Sequence, residues 1–408
     1  MGSLYSSCNA PDEKNLLSDL MEEHPEKFSD ILQNRDHYEV QVIYTRINRD
    51  ENNIPSFETF EFNTDDKQYF YPASTVKMPV ALLALEKLSE ISAHGISRNT
   101  TMFTDSIYSG QTPVYTDSTS ENGLPSVAQY VRKIFVVSDN DAFNRLYEFL
   151  GPEEIRTRLR SKGFDDARII HRLSLALSED ENRHTNPVRF ADGNDTLYIQ
   201  DGAFYEGEMD IEEGVVKGTG FIQDGELVSK PMEFGTKNFI PLNELNGMLQ
   251  RIIFPEAFDP SERFNLTDDD RKFVLQCMSQ LPGETAYPAY PQDEYYDAYC
   301  KFLLYGSDSS VTIPAQTRIY NKIGLAYGYT TDVAYIVDFE KNIEFMLAAT
   351  IHTNKNRIYN DGEYEYEETA YPFMRDLGLL IYDHELNRSR QHAPDLSSFR
   401  FSYDKPRY

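Results

Sequence analysis

The sequence predicts an α+β protein whose main sheet is assembled from both ends of the chain. Three observations carry that reading. Alternating, β-branched runs stand near the start, "YEVQVIYTRI" (38–47) and "FETFEFN" (57–63). Three more stand near the end, "RIYNKIGLAYG" (318–328), "DVAYIVDF" (332–339) and "IEFMLAATIHT" (343–353). Between them apolar residues recur mostly at helical spacing, and one more helical run closes the chain. A doubly wound parallel sheet would instead alternate strand and helix throughout.

In chain order, residues 11–35 read as a helix, with Leu16, Leu17, Leu20, Met21, Phe28 and Ile31 on one face. The two early strands are joined by the turn "NRDENNIPS". "YPASTVKMPVALLALEKL" (71–88) begins a helix at Ser74 whose apolar run is long enough to be buried. "GLPSVAQYVRKIFVVS" and "DNDAFNRLYEFLG" are two helices around a polar junction at 138–141, and Gly151-Pro152 ends the second. Residues 191–236, rich in Gly, Asp, Glu and aromatics, read as an inserted set of hairpins. "PLNELNGMLQRIIF" and "TDDDRKFVLQCMSQL" return to helix. "PGETAYPAYPQDEYYDAY" (282–299) is a connector, because its prolines lack the regular period of a polyproline ligand. "NDGEYEYEETAY" (360–371) reads as a solvated insertion before the closing helix, "AYPFMRDLGLLIYDHEL". The organisation is an N-terminal segment and helix (1–36), a main domain (37–386) and a tail (387–408).

Composition narrows the function classes. The 408 residues suffice for a large core. A formal charge of −28 argues against nucleic acid and against docking on an anionic membrane, since both would be repelled. No apolar run reaches the length of about 18 residues that a membrane span needs. Cys8, Cys277 and Cys300 show no metal-ligand spacing, and neither do the eight histidines. No glycine-rich phosphate loop follows a strand, so no cofactor is expected.

Three short motifs remain. Ser74 and Lys77 stand one helical turn apart, as a nucleophile beside its base would. A helix cap with a solvated lysine has the same spacing, which recurs at Ser402 and Lys405. Ser138-Asp139-Asn140 fills the polar junction, and alone it reads equally as an N-cap. Lys322-Ile323-Gly324 lies on a strand. In this order and these contexts the motifs resemble the class A β-lactamases and penicillin-binding proteins. The resemblance covers roughly residues 38–190 and 240–386.

That resemblance implies a five-stranded antiparallel sheet flanked by helices, an all-helical lobe, and an active site between them. It implies Ser74 as nucleophile and Lys77 as its base, since burial beside other cations discharges a lysine well below its free pKa of about 10.4. Ser138 would relay a proton to the leaving group, Asp139 would hold the loop, and Asn140 would bind the substrate amide. Lys322 would pair with Ser138 and draw the substrate carboxylate. Along the same strand, Gly324 and Leu325 would line the substrate, with the N–H groups of Ser74 and Leu325 as oxyanion hole.

Two departures shape the expected activity. Ile323 replaces the family's Thr or Ser, a hydroxyl that helps hold the substrate carboxylate. Counting from Ser138, with Arg172 matching the loop's arginine, Ser174 falls where class A enzymes carry the deacylating glutamate. Glu179, Asp180 and Glu181 lie several residues further on and read as solvated loop acids. The expectation is a serine hydrolase of class A β-lactamase type, acylated on Ser74 by a small-molecule or peptidoglycan-derived substrate and deacylated slowly. A D-alanyl-D-alanine peptidase or esterase, and a sensor acylated once, are the alternatives. "LYSSCNA" around Cys8 resembles the end of a bacterial lipoprotein leader, which implies export to the periplasm or cell envelope with a lipid on Cys8.

Overall fold

The structure, a computed structural model, describes residues 16–406. Cys8 and the first residues of the expected N-terminal helix lie outside the described residues. From Leu16 the chain forms two helices, α1 (Leu16–Glu22) and α2 (Pro25–Gln33), rather than one. Pro25 explains the break: it lacks an N–H to continue α1, and its fixed φ suits the first position of a new helix. Strands β1 (Gln41–Arg49) and β2 (Pro55–Phe62) follow, then α3 (Lys77–Glu90) and the short β3 (Thr101–Thr104). The helical lobe continues with α4 (Val127–Val137), α5 (Asn140–Leu150), α6 (Pro152–Ser161) and the single turn α7 (Glu179–Arg183).

The hairpin region is present as expected, and it begins slightly earlier. β4 (Val188–Asp192) and β5 (Asp195–Gln200) form a hairpin that pairs with β3. β6 (Val216–Lys217), β7 (Gly220–Gln223), β8 (Glu226–Val228) and β9 (Met232–Glu233) make two small ladders beyond it. Helices α8 (Leu242–Ile253) and α9 (Asp268–Ser279) lead to β10 (Thr317–Ala326), β11 (Tyr329–Asp338) and β12 (Ile343–His352). The chain then runs through β13 (Ile358–Tyr359) into α10 (Tyr371–Asn387). Between these last two Glu363, Glu367 and Glu368 are exposed while Asp361 and Glu365 are half-buried, so the loop is less solvated than expected. Tyr366 folds back, and its hydroxyl accepts the Gly328 N–H at 2.8 Å.

The main sheet has the order β10-β11-β12-β1-β2 and is antiparallel throughout. Gln41 of β1 stands opposite Thr350 of β12, so the two ends of the chain meet at the centre of the sheet. Both faces are covered, which is why β11 and β12 read as continuous apolar runs. Side chains alternate between two cores. Ile319, Ile323, Ala334, Ile336, Phe345 and Leu347 face α1, α2 and α10. Tyr320, Val333, Tyr335, Met346 and Ala348 face the helical lobe, led by the buried length of α3. Neither terminal segment stands apart from these cores. Met21 and Phe28 lie in the α10-side core, and Phe399 of the tail packs against Tyr335 at 4.9 Å between ring centres.

Gly378 sets how closely α10 approaches the segment before β10. A Cβ there would collide with the backbone N of Leu304 and lie 2.9 Å from its Cα. Gly378→Ala is therefore expected to destabilise the protein by about 1–3 kcal/mol, the usual cost of overpacking, despite alanine's better helix propensity. A urea unfolding midpoint unchanged from the parent protein would contradict this.

Candidate active site

The edge strand β10, the turn before α3 and the α4–α5 junction meet on the helical-lobe side of the sheet. Ser74 does not begin an α-helix as the sequence suggests. It sits in a 3₁₀ turn, Ala73–Val76, and α3 starts at Lys77. The turn is tight because Thr75 spends both its N–H (3.0 Å) and its hydroxyl (2.7 Å) on the carbonyl of Pro72. Ala73 is held at a φ of +46°, a left-handed conformation that costs about 1 kcal/mol or more outside glycine. Ser74 is half-buried, while the residues on either side of it are buried.

Lys77 is fully buried, and its Nζ reaches the other lobe of the site. It donates to the carbonyl of Ser138, to Asn140 Oδ1 at 2.7 Å and to Ser138 Oγ at 3.3 Å. From the opposite side Lys322 Nζ donates to Ser138 Oγ at 2.8 Å and to the carbonyl of Ile323 at 2.8 Å. Two amines thus converge on one hydroxyl. Burial, and then the neighbouring Lys322, hold Lys77 well below the ordinary lysine range. Burial pushes Lys322 down to about 8. Ser74 Oγ makes no hydrogen bond to this network among the described residues, although Lys77 follows it by one turn.

The α4–α5 junction presents Ser138 by backbone conformation. Ser138 caps the C-terminus of α4 at φ +61°, ψ +40°, which turns the chain sharply towards Lys77. Asp139 has the structural role expected of it: its side chain caps α5, accepting the Ala142 N–H at 2.8 Å. The N-cap reading of the triplet holds for Asp139.

Strand β10 approaches the Ser74 turn at Gly324. A Cβ at Gly324 would run into the Pro72 carbonyl oxygen and lie 3.3 Å from Ser74 N, so the close approach requires glycine. Ile323 points the other way and is buried in the α10-side core, offering no hydroxyl. Leu325 pairs with Thr330 of β11, its side chain half-buried against the same core.

A stripe on α5 organises the loop after the junction. Asn140, Asn144 and Glu148 are spaced by four and share one helix face. Asn140 Nδ2 donates to Ser174 Oγ at 2.8 Å. Asn144 clamps Leu173 twice, accepting its N–H at 2.8 Å and donating to its carbonyl at 3.0 Å. Glu148 accepts from Arg172 Nε at 3.0 Å, and Arg172 also donates to the carbonyls of Glu181 (3.2 Å) and His184 (2.7 Å). Three consecutive loop residues are so fixed against three turns of helix. Ser174, exposed and at φ +56°, lies beside Asn140. The loop acids are committed locally. Glu179 pairs with Arg183 at 2.7 Å, Asp180 accepts from Tyr108 at 2.5 Å, and Glu181 completes a capping box with Ser178.

Sequence reasoning missed Asn144 and Glu148, whose spacing of four from Asn140 was the available signal. It also missed Tyr71, His171, Lys237 and Tyr327, which line a cavity beside Ser174. Only tertiary packing brings those together. Among the described residues no three His, Cys, Asp or Glu side chains form a metal-ligating group, and no helix is long and apolar enough to cross a membrane.

Residues 26–206, which hold the first two motifs and the loop through Ser174, match the model of the Beta-lactamase enzyme family. That match covers the part of the chain up to the hairpin region and does not reach β10–β12. Among solved structures it is similar to a β-lactamase from Sphaerobacter thermophilus, at 12% identity over 88% of this chain and 96% of that one, with a TM-score of 0.47. A β-lactamase from Xanthomonas campestris shares 15% identity over 90% and 99%, with a TM-score of 0.46. A class A β-lactamase from Clostridium kluyveri shares 14% over 88% and 98%, with a TM-score of 0.45. No curated protein sequence matches the chain.

The α5 clamp has a measurable consequence. Asn144→Leu leaves the Leu173 N–H and carbonyl without partners, at a cost of about 1–3 kcal/mol. Hydrogen exchange is expected to rise locally over residues 170–178 while β10–β12 remain protected. Uniform loss of protection across the sheet would show instead that the clamp belongs to the global fold.

Proposed function

We propose that the protein is a serine hydrolase of β-lactamase type that is acylated on Ser74 and deacylates slowly. The observation that carries this reading is the convergence of Lys77 and Lys322 on Ser138, next to Asn140 and one turn from Ser74. In the proposed step neutral Lys77 takes the Ser74 proton as Oγ attacks the amide carbon. The N–H groups of Ser74 and Leu325 receive the developing oxyanion. Ser138, oriented by Lys322, passes a proton to the departing nitrogen as the C–N bond breaks. Apo hydrogen bonds at such sites tighten when substrate arrives, which accommodates a Ser74 hydroxyl outside the network.

Slow deacylation is inferred from Ser174. A carboxylate base for the hydrolytic water is worth roughly 10²–10⁴-fold, and the nearest loop acids are tied to Arg183, Tyr108 and Ser178. The same feature favours a second reading, a penicillin-type sensor acylated once. Export with a lipid on Cys8 is part of the proposal and is supported only by the sequence around Cys8.

Intact-mass measurement after incubation with a penicillin and with a simple thioester tests the acylation. A Ser74-dependent adduct is expected with at least one of them, and Ser74→Ala is expected to show none. Labelling that survives in Ser74→Ala would end the assignment. The Ser174→Glu variant is expected to shorten the adduct's lifetime by roughly 10²-fold or more, as general-base help does. Rapid hydrolysis of a chromogenic cephalosporin by the unaltered protein would refute the slow step.

The acylation rate also has an expected pH profile. It rises as Lys77 loses its proton, because only the neutral amine can act as base. It falls through about pH 8, where Lys322 loses the charge that orients Ser138. In Lys322→Met the overall rate drops and the alkaline limb disappears. A rate unchanged from pH 7 to beyond 9 in the parent protein would separate Lys322 from the reaction.

A further inference from the structure

A cavity of about 570 Å³ adjoins the candidate active site on the side of the clamped loop. Ser174, bonded to Asn140, and Tyr71, three residues before Ser74, form its inner end. Its walls mix polar and apolar side chains from elements distant in sequence. Leu175 lies on the loop, while Met209, Ile211 and Met232 come from the hairpin insertion. Leu175 and Ile211 leave 47% and 39% of their surface exposed, which is unfavourable for side chains of this size unless something covers them.

One cation in this cavity lacks a carboxylate partner among the described residues. Lys237 follows the insertion, and its Nζ lies 5.2 Å from the centre of the Tyr327 ring and 5.9 Å from that of Phe234. The other charged groups of the wall are already matched. Arg172 is held by Glu148, and Glu179 by Arg183. His171 donates through Nδ1 to the carbonyl of Arg172 at 2.6 Å, and burial lowers it to about 4, so it is neutral at pH 7. An ammonium without a carboxylate partner in the wall of this cavity is placed to pair with an anionic group of a ligand.

We infer that this cavity receives the acyl portion of the substrate, and that it selects an acyl group ending in a carboxylate that pairs with Lys237. The inference rests on the acyl-enzyme reading above. It shifts anion recognition to the acyl side of the scissile bond, whereas Ile323 lacks the hydroxyl that would hold a carboxylate on the leaving side. The insertion then has a function: it supplies the wall and, at its end, the charge.

Two thioesters of methyl thioglycolate test this, one with a phenylacetyl and one with a 4-carboxyphenylacetyl group. In each, a bond forms from Ser74 Oγ to the acyl carbon, the C–S bond breaks, and the serine proton leaves on the thiol. Thiol release and intact mass report the rate. The carboxylated ester is expected to acylate Ser74 about tenfold faster, as for one partly desolvated charge pair. Lys237→Met is expected to abolish that preference, and Lys237→Arg to retain it. Equal rates for the two esters, or a preference that survives in Lys237→Met, would overturn the inference and leave the acyl-enzyme reading standing. If neither ester labels Ser74 and penicillin does not either, the acyl-enzyme reading itself fails, and this inference with it.

Discussion

A fully buried amine at Lys77 is the constraint around which the rest of the site is arranged. A lysine removed from water must either lose its proton or find acceptors for three N–H bonds. Here it does both in part. The Ser138 carbonyl, Ser138 Oγ and Asn140 Oδ1 surround it, and burial beside Lys322 favours the neutral form. Each acceptor requires its own local structure. Ser138 needs the left-handed cap of α4, and Asn140 needs the start of α5. The apolar length of α3 then holds the amine in place from the other side.

The same α5 face carries the site and its loop together. Asn140 touches both Lys77 and Ser174, while Asn144 and Glu148 anchor the two residues before Ser174. The backbone of the loop is thus defined by polar groups other than those that would do chemistry on it. The exposed Ser174 side chain is left beside Asn140 at the end of this clamp.

Much of this was legible in the sequence, and the illegible parts share a cause. The five sheet strands, the closing helix and both helices around Ser138 follow from local periodicity and were read within a few residues. The three motifs were readable because each is short and lies on a predictable element. The 3₁₀ turn at Ser74 was not, because its geometry comes from Thr75 bonding back to Pro72 beneath an encroaching strand. The break at Pro25 was visible in principle, since the proline was there to be weighed against the apolar spacing. Lys237, Met209 and Ile211 gave no signal, because nothing local says where an insertion will dock. Ile323 shows the intermediate case. Its identity revealed the missing hydroxyl, and only the pleat of β10 showed that its side chain belongs to the opposite core.

The pairing of Gln41 with Thr350 also bears on how the protein comes to be folded. The central ladder joins β1 to β12, with β2–β11 and the helices of the lobe lying between them in the chain. Closing so long a loop is entropically costly before any other contact rewards it, and chains dominated by such pairings fold slowly. Until β12 emerges, β1 and β2 form only a hairpin, which has marginal stability alone. The nascent chain therefore stays open along its central seam while everything between β1 and β12 is synthesised. Its apolar strands are exposed during that interval, so the acidic net charge acts first on the unfinished molecule, keeping neighbouring chains apart until the two ends meet.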